Sequence, residues 1–207
     1  MNIEVKDIDV VFEGKKIVDS LSFNFCSGVN YLITGDSGSG KTTLLNLLSL
    51  VRIPDKGMVF YNEQPVTEKN IDVLRKQNGI VFQNSYLINE LTVYQNIELF
   101  YKGKKERISE LAQRLSISDR LYSKAGTISV GEKKRCGFLR VLLREPNIIF
   151  ADEPFAGLDN DNISILNGLL TDYTEGSQER SVIIVTHMPE KVLIPHQVIK
   201  LSHGMIL

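Results

Sequence analysis

The run Gly35-Asp36-Ser37-Gly38-Ser39-Gly40-Lys41-Thr42, continued by Thr43, has the spacing G-x-x-x-x-G-K-[ST]. Glycines at those places let the backbone curl so that successive N–H groups point at one anion. A helix beginning near Lys41 aims its positive end at the same point. Lys41 is then placed to reach the β- and γ-phosphates of a nucleoside triphosphate, and the Thr42 hydroxyl to bind Mg²⁺. A plain Gly/Ser linker would lack the apolar strand-like run Val29–Thr34 before it and the apolar helix-like run Lys41–Val51 after it.

A second group stands far downstream. Ile148-Ile149-Phe150-Ala151-Asp152-Glu153 is four apolar residues and then two acids. A buried strand ending in acids puts charge at the carboxyl edge of a sheet, where α/β folds bind ligands. Asp152 would orient a Mg²⁺ shell, and Glu153 would act as general base on an attacking water. Alone, such a run is also an ordinary strand end with a solvated turn; beside the phosphate loop it reads as catalytic.

The elements that must hold these groups follow from periodicity. Ile3–Val11 and Ile17–Phe25 alternate as strands around a turn at Glu13–Lys16. Gly57–Tyr61 and Ile80–Phe82 read as strands. Thr92-Val93-Tyr94-Gln95 is a capping-box pattern opening a helix toward Tyr101, and Lys105–Leu115 and Ser129–Leu143 read as further helices. Strand Asn147–Ala151, helix Asp159–Tyr173, strand Ser181–Thr186 and strand Val198–Leu201 follow. The alternation predicts an α/β fold with a mostly parallel core sheet flanked by helices, an N-terminal antiparallel β subdomain and an inserted helical subdomain. The expected division of this single 1–207 domain is 1–84 and 145–207 for the nucleotide-binding core and about 85–144 for the helical part.

The 24 Lys+Arg and 25 Asp+Glu give a net charge of -1, so no basic excess points to nucleic acid as a partner. The two cysteines, Cys26 and Cys136, share no metal-binding spacing and read as reduced thiols. The longest apolar runs fall well short of the roughly 18 residues of a membrane span. The expectation is a cytoplasmic chain, with any membrane spans supplied by another protein.

The remaining motifs resemble those of the ABC (ATP-binding cassette) ATPases, in order and across nearly the whole chain. Ser129-Val130-Gly131-Glu132, followed by Lys133-Lys134-Arg135, is similar to the signature usually written L-S-G-G-Q. Gln83 stands where that family has its Q-loop, and Gly157-Leu158-Asp159 looks like its D-loop. His187 lies at the place of the switch histidine, and Phe12 at that of the aromatic that stacks on adenine. The resemblance implies an ATPase using ATP and Mg²⁺, with Gln83 sensing the metal and His187 holding the γ-phosphate. It implies that two cassettes pair head to tail, so that Ser129, Gly131 and Glu132 of one and Asp159 complete the nucleotide site of the other. It also implies an integral membrane permease as partner and a place on the cytoplasmic face of the membrane.

Each of these residues also has a plainer reading. Ser129-x-x-Glu132 is a capping box, Asp159 a helix N-cap, Gln83 a polar strand end, His187 a structural histidine and Phe12 a core strand residue. Val130 replaces a glycine, and a stiff β-branched residue disfavours positive φ; slow hydrolysis is the expected consequence. Phe155 stands where threonine is common. The stretch Val81–Val93 looks like the lipoprotein-release, macrolide and bacteriocin-peptide exporter ATPases, and no C-terminal regulatory domain is expected. Three function classes fit: a motor for export of a peptide, lipid or drug-like substrate, a cassette of a signalling or cell-division complex, and a slow ATP-dependent switch.

Overall fold

The computed structural model describes residues 1–207. Strands β1 (Ile3–Phe12) and β2 (Lys15–Phe25) pair antiparallel, with Phe12 opposite Lys15. Glu13 and Gly14 alone make the turn, with φ of 49° and 78°. Two positive φ values match the right-handed twist of the strands, so the turn is tighter than Glu13–Lys16. β3 (Tyr31–Thr34) runs into the glycine loop, and helix α1 (Lys41–Leu48) follows. β4 (Lys56–Tyr61) and β5 (Gln64–Pro65) complete an antiparallel sheet of order β2-β1-β4-β5.

Helix α2 (Ile71–Gln77) is invisible in the apolar pattern, because it is one short element that buries only Ile71. Then come β6 (Asn78–Val81), α3 (Val93–Glu98), α4 (Lys105–Arg114) and α5 (Val130–Leu142). The Thr92 capping box forms: Thr92 Oγ1 accepts from Gln95 N at 3.1 Å and Gln95 Oε1 from Thr92 N at 2.9 Å. The chain ends with β7 (Ile148–Asp152), α6 (Asn160–Glu175), β8 (Ser181–Val185), β9 (Gln197–Ser202) and β10 (Met205–Ile206). The large sheet has the order β10-β9-β3-β8-β7-β6. Its five strands β9, β3, β8, β7 and β6 are parallel, and β10 returns antiparallel.

Both faces of this sheet are covered, which is why β7 and β8 are apolar throughout rather than alternating. Ile149, Ala151, Val182 and Ile184 pack with Phe138 of α5 and Leu166 of α6. Ile148, Phe150, Ile183 and Val185 pack with the α1 leucines and with Ile3, Val5 and Val59 of the small sheet. Phe155 is fully buried in the first of these cores, a packing reason for an apolar residue there. No strand of either sheet lies between Val81 and Ile148. Both cysteines are free. No helix is long and apolar enough to cross a membrane.

Candidate active site

The glycine loop leaves the carboxyl end of β3, in the middle of the large sheet. Gly35 has φ 148°, and a Cβ there would lie 2.1 Å from Leu201 O; at Gly40, φ 100°, it would lie 2.7 Å from Ile17 O. Only glycine fits at either place. Gly40 caps α1 without a side-chain hydrogen bond, and the first turn holds no acid. The first N–H groups of α1 are therefore left for an outside anion. Lys41 Nζ donates to Gly35 O and Asp36 O, both at 2.8 Å, so its ammonium arches back over the loop.

A cavity of about 400 Å³ opens over this loop. Ser37, Gly38 and Gly40–Thr43 line it together with Phe12, Gln83, Glu153 and His187. Phe12 is 58% exposed at its rim and so is not a core strand residue. Asp36 and Ser39 do not line this cavity. They border a smaller one with Ser202 and His203, and Ser37 and Gly38 line both. Gly35 and Asp36 serve the main cavity through the carbonyls that hold Lys41.

Asp152 ends β7 beside Thr42, whose hydroxyl donates to Asp152 Oδ1 at 3.2 Å. Burial pushes the Asp152 carboxyl above the ordinary range, against the hydrogen bond from Thr42. A buried hydroxyl–carboxylate pair of this kind suits a hard cation that keeps several waters. No cluster of three or more His, Cys, Asp or Glu stands there, so the other ligands to such an ion would be neutral groups such as the Gln83 amide, together with phosphate oxygens and water.

Glu153 adopts φ 47°, an uncommon conformation for a non-glycine residue. Its N–H donates to Val185 O at 2.8 Å. Its carboxylate accepts from Thr186 Oγ1 at 2.9 Å and from His187 N at 3.0 and 3.2 Å. His187 Nε2 stands 3.5 Å from Glu153 Oε1, and the imidazole is mostly exposed to the cavity side. Strand ends β7 and β8 thus bring together two residues 34 positions apart.

The signature residues lie elsewhere. Ser129 Oγ accepts from Glu132 N at 3.2 Å, and Glu132 Oε2 from Ser129 N at 2.7 Å, so the capping box is real. Arg120 Nε donates to Glu132 Oε1 at 2.6 Å and, with the Ser129 N–H, holds the Glu132 carboxyl down at about 2. Val130 is the first residue of α5 and has no positive φ. Its β-branch therefore meets no backbone conflict, contrary to the expectation from its replacing glycine. Its side chain is 72% exposed. Ser129, Val130, Gly131 and Glu132 line a second cavity with Gly157, Leu158 and Asp159. Asp159 N-caps α6, accepting from Asn162 N at 2.8 Å. The two cavities share no residue.

Two site residues escaped the sequence reading. Arg52 lines the first cavity beside Phe12, held by Val11 O at 2.8 Å, with its Nε buried and unpartnered; no spacing marks it. Lys134 is buried and donates to Glu153 O and Ala156 O. Its helical spacing to Phe138 and Val141 was the available signal.

The family described as ABC transporter matches residues 18–156. The lipoprotein-releasing system ATP-binding protein LolD of Aquifex aeolicus is 34% identical, over 99% of this chain and 96% of that protein. The macrolide export ATP-binding/permease protein MacB of Photorhabdus laumondii is also 34% identical, over 93% of this chain but 31% of that longer protein. The solved dimeric cassette MJ0796 bound to ADP and Pi superposes with TM-score 0.87 and 25% identity, covering 99% of this chain and 96% of that one. A family model over residues 18–156 and a relative 34% identical along nearly its whole length agree: the chain is a member of the ABC transporter family.

Proposed function

We propose that this ATP-hydrolysing subunit works as half of a head-to-tail pair, with Glu153 as the general base. The observation that carries the reading is the placement of Glu153: its carboxylate is fixed by Thr186 and His187 at the wall of the cavity that holds Lys41. Lys41 and the N–H groups of α1 would bind the β- and γ-phosphates, and Phe12 would stack on the adenine. Thr42 and Asp152, with Gln83 nearby, would hold Mg²⁺, which supplies neutralising charge to the phosphates. Glu153 would take a proton from a water as that water attacks the γ-phosphorus and the bond to the β-phosphate oxygen breaks. His187 would hold the γ-phosphate oxygens.

Ser129, Gly131, Glu132 and Asp159 border a cavity that no phosphate loop of this copy enters. A second cassette placed head to tail would bring its own nucleotide there, and the dimeric MJ0796 cassette supports that pairing. Residues 85–144, which hold no sheet strand, form the helical subdomain that docks on the permease in this reading. The likeness to LolD and MacB supports a subunit on the cytoplasmic face of a membrane, driving export of a peptide, lipid or drug-like substrate.

The test is Glu153→Gln. It is expected to bind ATP, to lose turnover by about 10²-fold or more, and to accumulate a nucleotide-bound dimer on size-exclusion chromatography. Normal turnover would show that another group is the base. Co-purification from native membranes would identify the permease.

A further inference from the structure

Lys134 lies in the second turn of α5, two residues past Glu132, and is only 3% exposed. Its Nζ donates to Glu153 O at 2.7 Å and to Ala156 O at 2.9 Å. No carboxylate comes within ion-pairing distance of it. Burial lowers its pKa, and the charges of Glu153 and Asp152 pull the other way. A buried ammonium satisfied by carbonyls alone is a costly way to fill a core position, so its partners matter.

Those partners are informative. Glu153 sits at φ 47°, and such a conformation persists only when its surroundings over-determine it. Its N–H is held by β8 and its carboxylate by the residues that follow β8. Its carbonyl receives Lys134 Nζ and, within the same turn, Ala156 N at 3.3 Å. Lys134 is thus the one clamp on Glu153 that comes from α5. That helix carries Ser129 and Gly131 at its start, and the other Lys134 partner, Ala156, directly precedes the run Gly157-Leu158-Asp159 that lines the same second cavity.

We propose that Lys134 is a positioning residue for hydrolysis, setting the Glu153 carboxylate through the Glu153 carbonyl and tying that setting to α5. Engagement of the α5 N-terminus with the second copy's nucleotide is then passed through one side chain to the base of this copy's own site. The proposal rests on Glu153 being the base.

The experiment compares steady-state ATPase parameters of the full-length protein in the assembled complex. Lys134→Met fills the same space without a donor, and Lys134→Gln returns N–H donors without the charge. The Met variant should keep its KM within about threefold and lose kcat by about tenfold or more, and the Gln variant should recover most of the loss. Should the Met variant not accumulate folded, Lys134→Thr, too short to reach Glu153, is read for the same two parameters. Unchanged kcat overturns the proposal. So does a loss of kcat matched by a loss of ATP affinity, or one that glutamine does not rescue, since either marks a merely structural side chain. Glu153→Gln with normal turnover would instead remove the reading beneath it, whatever Lys134 does.

Discussion

The Thr42 hydroxyl and the Asp152 carboxylate meet at 3.2 Å across 110 residues of sequence. That contact joins the phosphate loop on β3–α1 to the acidic end of β7, with β8 lying between the two strands. Asp152 is buried enough to have its carboxyl pushed upward, so a cation there relieves a real electrostatic cost. Asp152→Asn removes the charge at nearly constant shape. It should raise the Mg²⁺ concentration needed for half-maximal ATPase by about tenfold or more. A magnesium titration of turnover checks this, and an unchanged midpoint would place the ion elsewhere.

Lys41 holds two loop carbonyls at 2.8 Å, which are the contacts a phosphate must compete with or sit above. Lys41→Ala removes the only ammonium among the residues lining the cavity. Productive ATP binding should be abolished, with turnover down by about 10²-fold or more. The fold should survive, because α1 keeps its buried leucines. Nucleotide binding by fluorescence and a thermal melt separate the two; wild-type affinity would sink the assignment.

The phosphate loop was legible because its chemistry is local: Gly35, Gly40, Lys41 and Thr42 are close in sequence and face one ligand. The β7 run was legible because Ile148–Ala151 is too short for a buried helix and ends in two acids, Asp152 and Glu153. Other features depend on contacts that spacing does not encode. Lys134 stands in a charge run, Lys133-Lys134-Arg135, which reads as a solvated face. Its carbonyl partners lie 19 and 22 residues downstream, and only helical phase with Phe138 and Val141 turns it inward. Arg52 reaches the cavity through Val11, a contact made by sheet packing. Helix α2 buries too little to leave a pattern.

Glu132 links the capping box of α5 to Arg120. Its folded pKa of about 2 lies below the ordinary value near ~4.3. The contact therefore stabilises in full above the ordinary value and is lost as pH falls from about 4.3 through about 2. Glu132→Gln keeps the cap acceptor but drops the charge. It should melt about 1–3 °C below the wild type at pH 6, and the gap should begin to narrow below about pH 4.3 and close only toward about pH 2. A constant gap across that range would show that the ion pair contributes nothing.

Val130 takes the first helical position of α5 without strain, so any effect on hydrolysis must come from its side chain rather than its backbone. That side chain is 72% exposed and stands at the cavity where a second copy's nucleotide would meet Ser129 and Gly131. In the proposed head-to-tail pair an isopropyl group there would crowd a γ-phosphate approaching the N–H of Gly131, and poorer closure would slow hydrolysis. Glycine would open the approach at a helix cost of roughly 1 kcal/mol, the usual penalty relative to alanine. Val130→Gly is expected to raise turnover of the permease-bound complex by several-fold, up to about tenfold, the equivalent of about 1.4 kcal/mol. Val130→Ala, which trims the branch but keeps helix propensity, should fall between. If bulk is the cause, the three rates order Gly, Ala, Val while KM changes less than kcat. If Val130→Gly leaves turnover of the assembled complex unchanged, the valine is neutral to the closed interface.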